Sequence, residues 1–125
     1  PHLTRAILEA IAYLIRSDVE TLLRLGIRAE EVRVLGGGSK SALWNRIKAD
    51  VLNLPIAVPT NRDAALLGTA VIAAVGAGLY PDLPRAVQAM TRMEARLQPD
   101  PANRAVYEEA YRRYRELFGR VKDLF

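Results

Sequence analysis

The feature that most limits the fold is a β-branched run that stops on glycine. Val32-Arg33-Val34-Leu35 is followed at once by Gly36-Gly37-Gly38-Ser39. A short valine-rich run reads as a strand, and a glycine cluster ends it. The pattern predicts strand 32–35. Beyond the glycines, Ser39 or Ser41 can cap a helix. Leu43, Trp44, Ile47, Val51 and Leu52 then recur at helical spacing on one inward face, as far as about Asn53. Leu54 to Pro59 reads as a second strand centred on Ile56-Ala57-Val58. Strand, helix and strand at this separation form a crossover, which is nearly always parallel and right-handed. Two strands alone leave both edges bare, so the sheet requires completion by residues upstream or by another chain.

The remaining segments read as helices. Ile7, Leu8, Ile11, Leu14, Ile15, Val19, Leu22 and Leu23 mark one face of a helix over 4–25, stopped by Gly26. The stretch 64–80 carries no charge. Its alanines and glycines make a weak membrane span and suit a buried helix packed closely on the sheet. Asp63 stands at its start, where a carboxylate complements the helix dipole, and Gly76 and Gly78 end it. Pro81 and Pro84 open a short helix to about Met90, with Asp82 as its N-cap. Residues 91–98 read as extended or irregular. Pro99 and Pro101 bracket a turn before a last helix carrying Val106, Tyr107, Tyr111, Tyr114, Leu117, Phe118, Val121 and Phe125. The tyrosines read as a packing stripe rather than a ligand-stacking surface. At most two strands and at least five helices give a helix-rich α/β chain, with 1–125 as one domain.

Composition removes several chemistries. With no cysteine and one histidine, His2, the chain offers no disulfide, thiolate metal site, cysteine nucleophile or histidine triad. The absence of cysteine fits a cytoplasmic protein. The net charge is +4. Acids are interleaved with the bases, as in Glu108, Glu109, Arg112, Arg113, Arg115 and Glu116, so these are solvated helix faces and not a nucleic-acid stripe. No membrane partner is expected. A start on Pro1 rather than methionine, with no secretory pattern after it, reads as a piece of something longer.

Chemistry concentrates at residues 36–41. Glycines at a strand end let a ligand approach the backbone, and the following helix start presents free N–H groups to an anion. Ser39 and Ser41 add hydroxyls and Lys40 a positive charge. The Walker A pattern fails, because Ser39 and Val34 occupy its glycine positions. The dinucleotide pattern is approached by Gly36, Gly38 and Ser41, but Pro59-Thr60-Asn61 supplies no acid for a ribose hydroxyl. A tight turn with an ordinary serine cap, or a non-catalytic helical interaction module, remains an alternative on these residues alone.

Gly36 to Trp44, then Ala49-Asp50-Val51-Leu52, resembles the glycine-turn segment of the FGGY carbohydrate kinase family. Asp63 to Ala70 resembles the family's small-residue helix, and Ala74 to Tyr80 continues it. Arg5 to Tyr13 is similar to the preceding helix. Pro99-Asp100-Pro101, the tyrosines and Lys122 to Phe125 are similar to the C-terminus of its xylulose kinase branch. Three departures stand out: Asp63 replaces the usual glutamate, Asn45-Arg46 a glutamine-containing pair, and Thr69 an alanine.

The resemblance implies the C-terminal part of an actin-like, ribonuclease H-like ATPase fold, with a two-strand parallel remnant of its sheet. It implies contacts to ATP from Gly36 and Gly37, with Gly38 beside them and Ser41 four positions after the second glycine. The sugar, most simply D-xylulose, would bind mainly to the absent N-terminal part of the protein. Other family members act on glycerol, ribulose or another polyol. The catalytic aspartate and the ligands of the divalent metal (Mg) are expected upstream, so 1–125 alone is expected to be inactive. Dimers are common in the family. Asp50, on a helix surface, and Asp63, near a helix start, are read as structural.

Overall fold

The computed structural model describes residues 2–124. Five α-helices and three strands follow in the order α1 (His2–Arg24), β1 (Val32–Arg33), α2 (Ala42–Leu52), β2 (Ile56–Pro59), α3 (Ala64–Gly76), α4 (Leu83–Met90), β3 (Met93–Leu97) and α5 (Arg104–Val121). β1 and β2 pair in parallel, as the crossover predicts, with Val32 opposite Ile56. The Val34 amide still donates to Ala57 O at 3.0 Å, which extends the pairing one residue beyond β1.

The strand count differs from expectation. Residues 93–97 form a third strand, antiparallel to β2, so the sheet is mixed in the order β1-β2-β3. β3 was hidden because four of its five residues are exposed and two are charged, which gives no alternating pattern to read. β2 is therefore central, and all four of its residues are buried. Pro59, which has no N–H to donate, sits where the β2–β3 register shifts.

α2 is the hub. One face packs on α1 and α5, through Ile47, Val51 and Leu52 against Ala12, Tyr13, Tyr107 and Tyr111. Its other face carries Ala49 into a second cluster with Val34, Ile56 and Val58. Full burial of Ile47, Val51 and Ile56 contributes about 1.5–3 kcal/mol each. Enclosure on two sides also buries Asn45, Lys48 and Asp50. Asp50 is thus structural but not on a surface: its carboxylate accepts from Asp100 N at 2.8 Å and Asn103 Nδ2 at 2.9 Å. Leu43 points outward instead and is exposed.

Termini follow their chemistry. Past α1, Gly26 (φ 85°) donates to Leu23 O and Ile27 to Leu22 O, a Schellman closure. Asp63 caps α3 by accepting from Leu66 N at 3.0 Å, and Asp82 caps α4 through Arg85 N. The tyrosine stripe packs as read, with Tyr13 and Tyr114 rings 5.5 Å apart and the Tyr111 hydroxyl donating to Glu20 at 2.9 Å. Arg16 ties the three helices together, donating to Glu20, Val51 O and Glu108 while lying 4.2 Å above the Tyr111 ring. Phe125 lies outside the described residues.

Two helices are less buried than their sequences suggest. In α3 only Val71 and Ala74 are buried, while Leu66 and Ile72 are exposed. α3 packs chiefly on α4. In α1, Ile7, Ile11 and Leu14 are exposed. Among the described residues no helix is long and apolar enough to cross a membrane.

Candidate nucleotide site

At the carboxyl end of β1 the chain turns on Gly36, whose φ of 73° and ψ of −168° lie in a region that is essentially glycine-only. A single 3-10 turn, Gly37–Lys40, leads into α2. Ser41 caps that helix, its Oγ accepting from Trp44 N at 3.2 Å. The Gly36 amide donates to Arg62 O at 3.0 Å, which fastens the bend to the loop that leaves β2. Parallel pairing thus puts both strand exits side by side, where ligands of open α/β sheets bind.

Between the two exits lies an open cleft of about 540 Å³ lined by Gly36, Gly37, Lys40, Arg62, Asp63 and Ala64. A Cβ added at Gly36 or Gly37 would meet no atom within 4 Å, so both positions face open space. The amides of Gly37 and Gly38 have no backbone partner among the described residues.

The four expected contact residues divide. Gly36 and Gly37 line the cleft, whereas Gly38 and Ser41 are not on its wall. A Cβ at Gly38 would fall 2.3 Å from Trp44 Cζ3, so the missing side chain there makes room for the chain's own tryptophan. Ser39 is buried too, its hydroxyl donating to Gly36 O at 2.7 Å and its carbonyl accepting from Asn45 Nδ2 at 2.7 Å. It braces the bend from inside and offers nothing to a ligand. Reading the sequence missed Arg62 and left Asp63 as a cap only. The signal was available: the crossover rule places the end of the second strand beside the end of the first.

Behind the bend, Lys48 Nζ lies 3.8 Å from the centre of the Trp44 ring and donates weakly to Asn45 Oδ1 at 3.5 Å. Burial lowers its pKa from the ordinary 10.5. A larger depression of about 780 Å³ lies at the opposite, amino end of the strands, lined by Arg28, Glu31, Arg33 and Arg96 among others. Its charges answer one another: a hydrogen bond from Arg33, with Arg96 close by, holds the Glu31 carboxyl below its usual value. Position and open backbone favour the glycine cleft over it. Among the described residues no group of three acidic or histidine side chains could hold a metal ion.

Comparison with known proteins identifies the family and the fold. Residues 1–77 match the model of the C-terminal domain of the FGGY family of carbohydrate kinases. An autoinducer-2 kinase of Salmonella choleraesuis is 37% identical over 93 residues, covering 74% of this chain and 18% of that protein. The crystal structure of xylulose kinase from Rhodospirillum rubrum superimposes with a TM-score of 0.83 at 33% identity, covering 98% of this chain and 25% of that one. Plasmodium falciparum glycerol kinase, solved with ADP, gives a TM-score of 0.75 at 25% identity over 92% of this chain and 24% of that one. The chain therefore spans about a quarter or less of these relatives, and its fold is the helix-rich C-terminal part of their actin-like ATPase architecture. On the match across 1–77 and the likeness to solved kinases, the chain belongs to the FGGY family of carbohydrate kinases.

Proposed function

We propose that this chain supplies one wall of the ATP site of a sugar kinase, with D-xylulose as the sugar and xylulose 5-phosphate as the product. The observation that carries the reading is the Gly36-Gly37 bend, open to a cleft at the carboxyl end of the parallel strands. ADP in the related glycerol kinase supports a nucleotide as the occupant. Gly36 and Gly37 let the nucleotide lie against the backbone, the Gly37 amide serves its oxygens, and Gly38 and the Ser41 hydroxyl stand behind them at the helix start. Lys40 adds a positive charge on the rim.

ATP supplies the phosphoryl group. The chain's part is to hold it in place, which counts because phosphoryl transfer depends mainly on positioning and charge stabilisation. We assign the aspartate base, the Mg ligands and most sugar contacts to the remainder of the protein, which we place in the cytoplasm. Phosphorylation of autoinducer-2 is a second reading, favoured by 37% identity over part of the chain. The xylulose reading covers nearly all of it.

The test is ATP-dependent phosphorylation by the full-length protein across D-xylulose, D-ribulose, glycerol and autoinducer-2, with ADP affinity measured by calorimetry. D-Xylulose is expected to give the highest kcat/KM, and Gly37→Val to abolish ADP binding. The isolated chain is expected to show no sugar-dependent ATP hydrolysis. Unchanged ADP affinity in the Gly37 variant would overturn the site.

A further inference from the structure

We propose that Arg62 is a specificity-determining contact to the nucleotide base, positioned by Glu94 of β3; this rests on reading the glycine cleft as the nucleotide site. Arg62 leaves the end of β2, and its carbonyl accepts the Gly36 amide at 3.0 Å, so its backbone is fixed against the bend. Its side chain is partly exposed on the cleft wall. Nη2 donates to Glu94 Oε2 at 2.6 Å. Nε is shielded from solvent and meets no acceptor among the described residues. The guanidinium is thus tied to Glu94 through Nη2, while the part of the side chain left exposed lies on the cleft wall.

Charge decides which part of a nucleotide it suits. The cleft has two cations, Lys40 and Arg62. Lys40 is exposed and has no ion pair among the described residues, so it can act as a point charge. The charge of Arg62 is already answered by Glu94, which weakens its pull on a phosphate chain. A paired guanidinium still keeps its flat face and its donors, and these suit an aromatic base and its ring nitrogens. Glu94 lies beyond residue 77, where the family match ends, so the match covers Arg62 but not the residue that positions it.

The test measures binding of ADP and of inorganic tripolyphosphate to the full-length protein by calorimetry. Arg62→Ala is expected to weaken ADP about tenfold while leaving tripolyphosphate unchanged. Arg62→Lys restores the charge but not the plane, and is expected to remain as weak. Glu94→Gln loosens the guanidinium and is expected to lower ADP affinity by a smaller factor, without strengthening tripolyphosphate. An unchanged thermal unfolding midpoint of the full-length protein shows that a variant is folded. The proposal is overturned if Arg62→Ala stays within twofold of the parent for ADP, or if Arg62→Lys restores affinity. A gain in tripolyphosphate affinity in Glu94→Gln would equally overturn it, by making Arg62 a phosphate contact. Gly37→Val separates the two levels: loss of ADP binding there, with none in Arg62→Ala, removes this inference alone, whereas no loss in either removes the site.

Discussion

Gly38→Ala tests whether the third glycine serves the chain rather than the ligand. The new Cβ would lie 2.3 Å from Trp44 Cζ3, 3.0 Å from Cε3 and 3.4 Å from Cη2. Ordinary contact begins near 3.4 Å, so the ring edge must retreat by about 1 Å. It has little room, since Lys48 sits over its face and the ring packs on the cluster around Tyr13 and Ile47. Overpacking of this kind costs about 1–3 kcal/mol. Reduced freedom of the unfolded chain returns about 0.4–1 kcal/mol. The net loss is then about 1–2 kcal/mol. At about 2.1 cal/mol/K per residue, that lowers Tm by about 4–8 °C. Thermal unfolding of the chain followed by circular dichroism measures it. Gly37→Ala is the control and should stay within about 0.5 kcal/mol of the parent, because its Cβ meets open space. In a Trp44→Leu background the Gly38→Ala penalty should largely vanish. An unchanged Tm, or a penalty that persists without the indole, would refute the reasoning.

Four further outcomes are expected. Asp50→Ala strips the acceptors of two bonds that join α2 to the turn before α5, and should cost about 3 kcal/mol by urea unfolding. Arg16→Lys cannot reproduce a planar fork that serves Glu20, Val51 O and Glu108 together; it should lose about 2 kcal/mol or more by the same assay. Lys48 binds its proton less readily folded than unfolded, because burial lowers its pKa below 10.5. The unfolded state therefore holds more protons in the alkaline window below that value, and stability rises with pH there. Lys48→Met should flatten this rise in the alkaline range just below 10.5. Tyr13 acts oppositely and higher: burial pushes it to about 12, so stability falls as pH climbs from the ordinary tyrosine value of 10.0.

The sequence revealed most where local chemistry and tertiary demand coincide. The serine and aspartate caps, the parallel crossover and the tyrosine stripe each follow from residues a few positions apart. What stayed hidden depends on neighbours. β3 has an exposed, charged sequence, and only pairing with the buried β2 makes it a strand. α3 reads as buried because it lacks charge, yet Leu66 and Ile72 are exposed. At the site, the run of glycines looks uniform. Gly36 is needed for its backbone angles, Gly37 for open access and Gly38 for Trp44, a division visible only once the indole is placed. Arg62 was missed for the opposite reason: nothing beside it in the sequence marks it, and only the crossover, by bringing the two strand exits together, sets it against Gly36.

The link between the Gly36 amide and the Arg62 carbonyl has a dynamic consequence. It rivets the exits of two adjacent strands into one lip, so neither loop must be frozen when a guest arrives. Little of the intrinsic affinity is then lost to ordering. Any lid over the guest must come from a separate body swinging against this lip as a whole, with its pivot elsewhere.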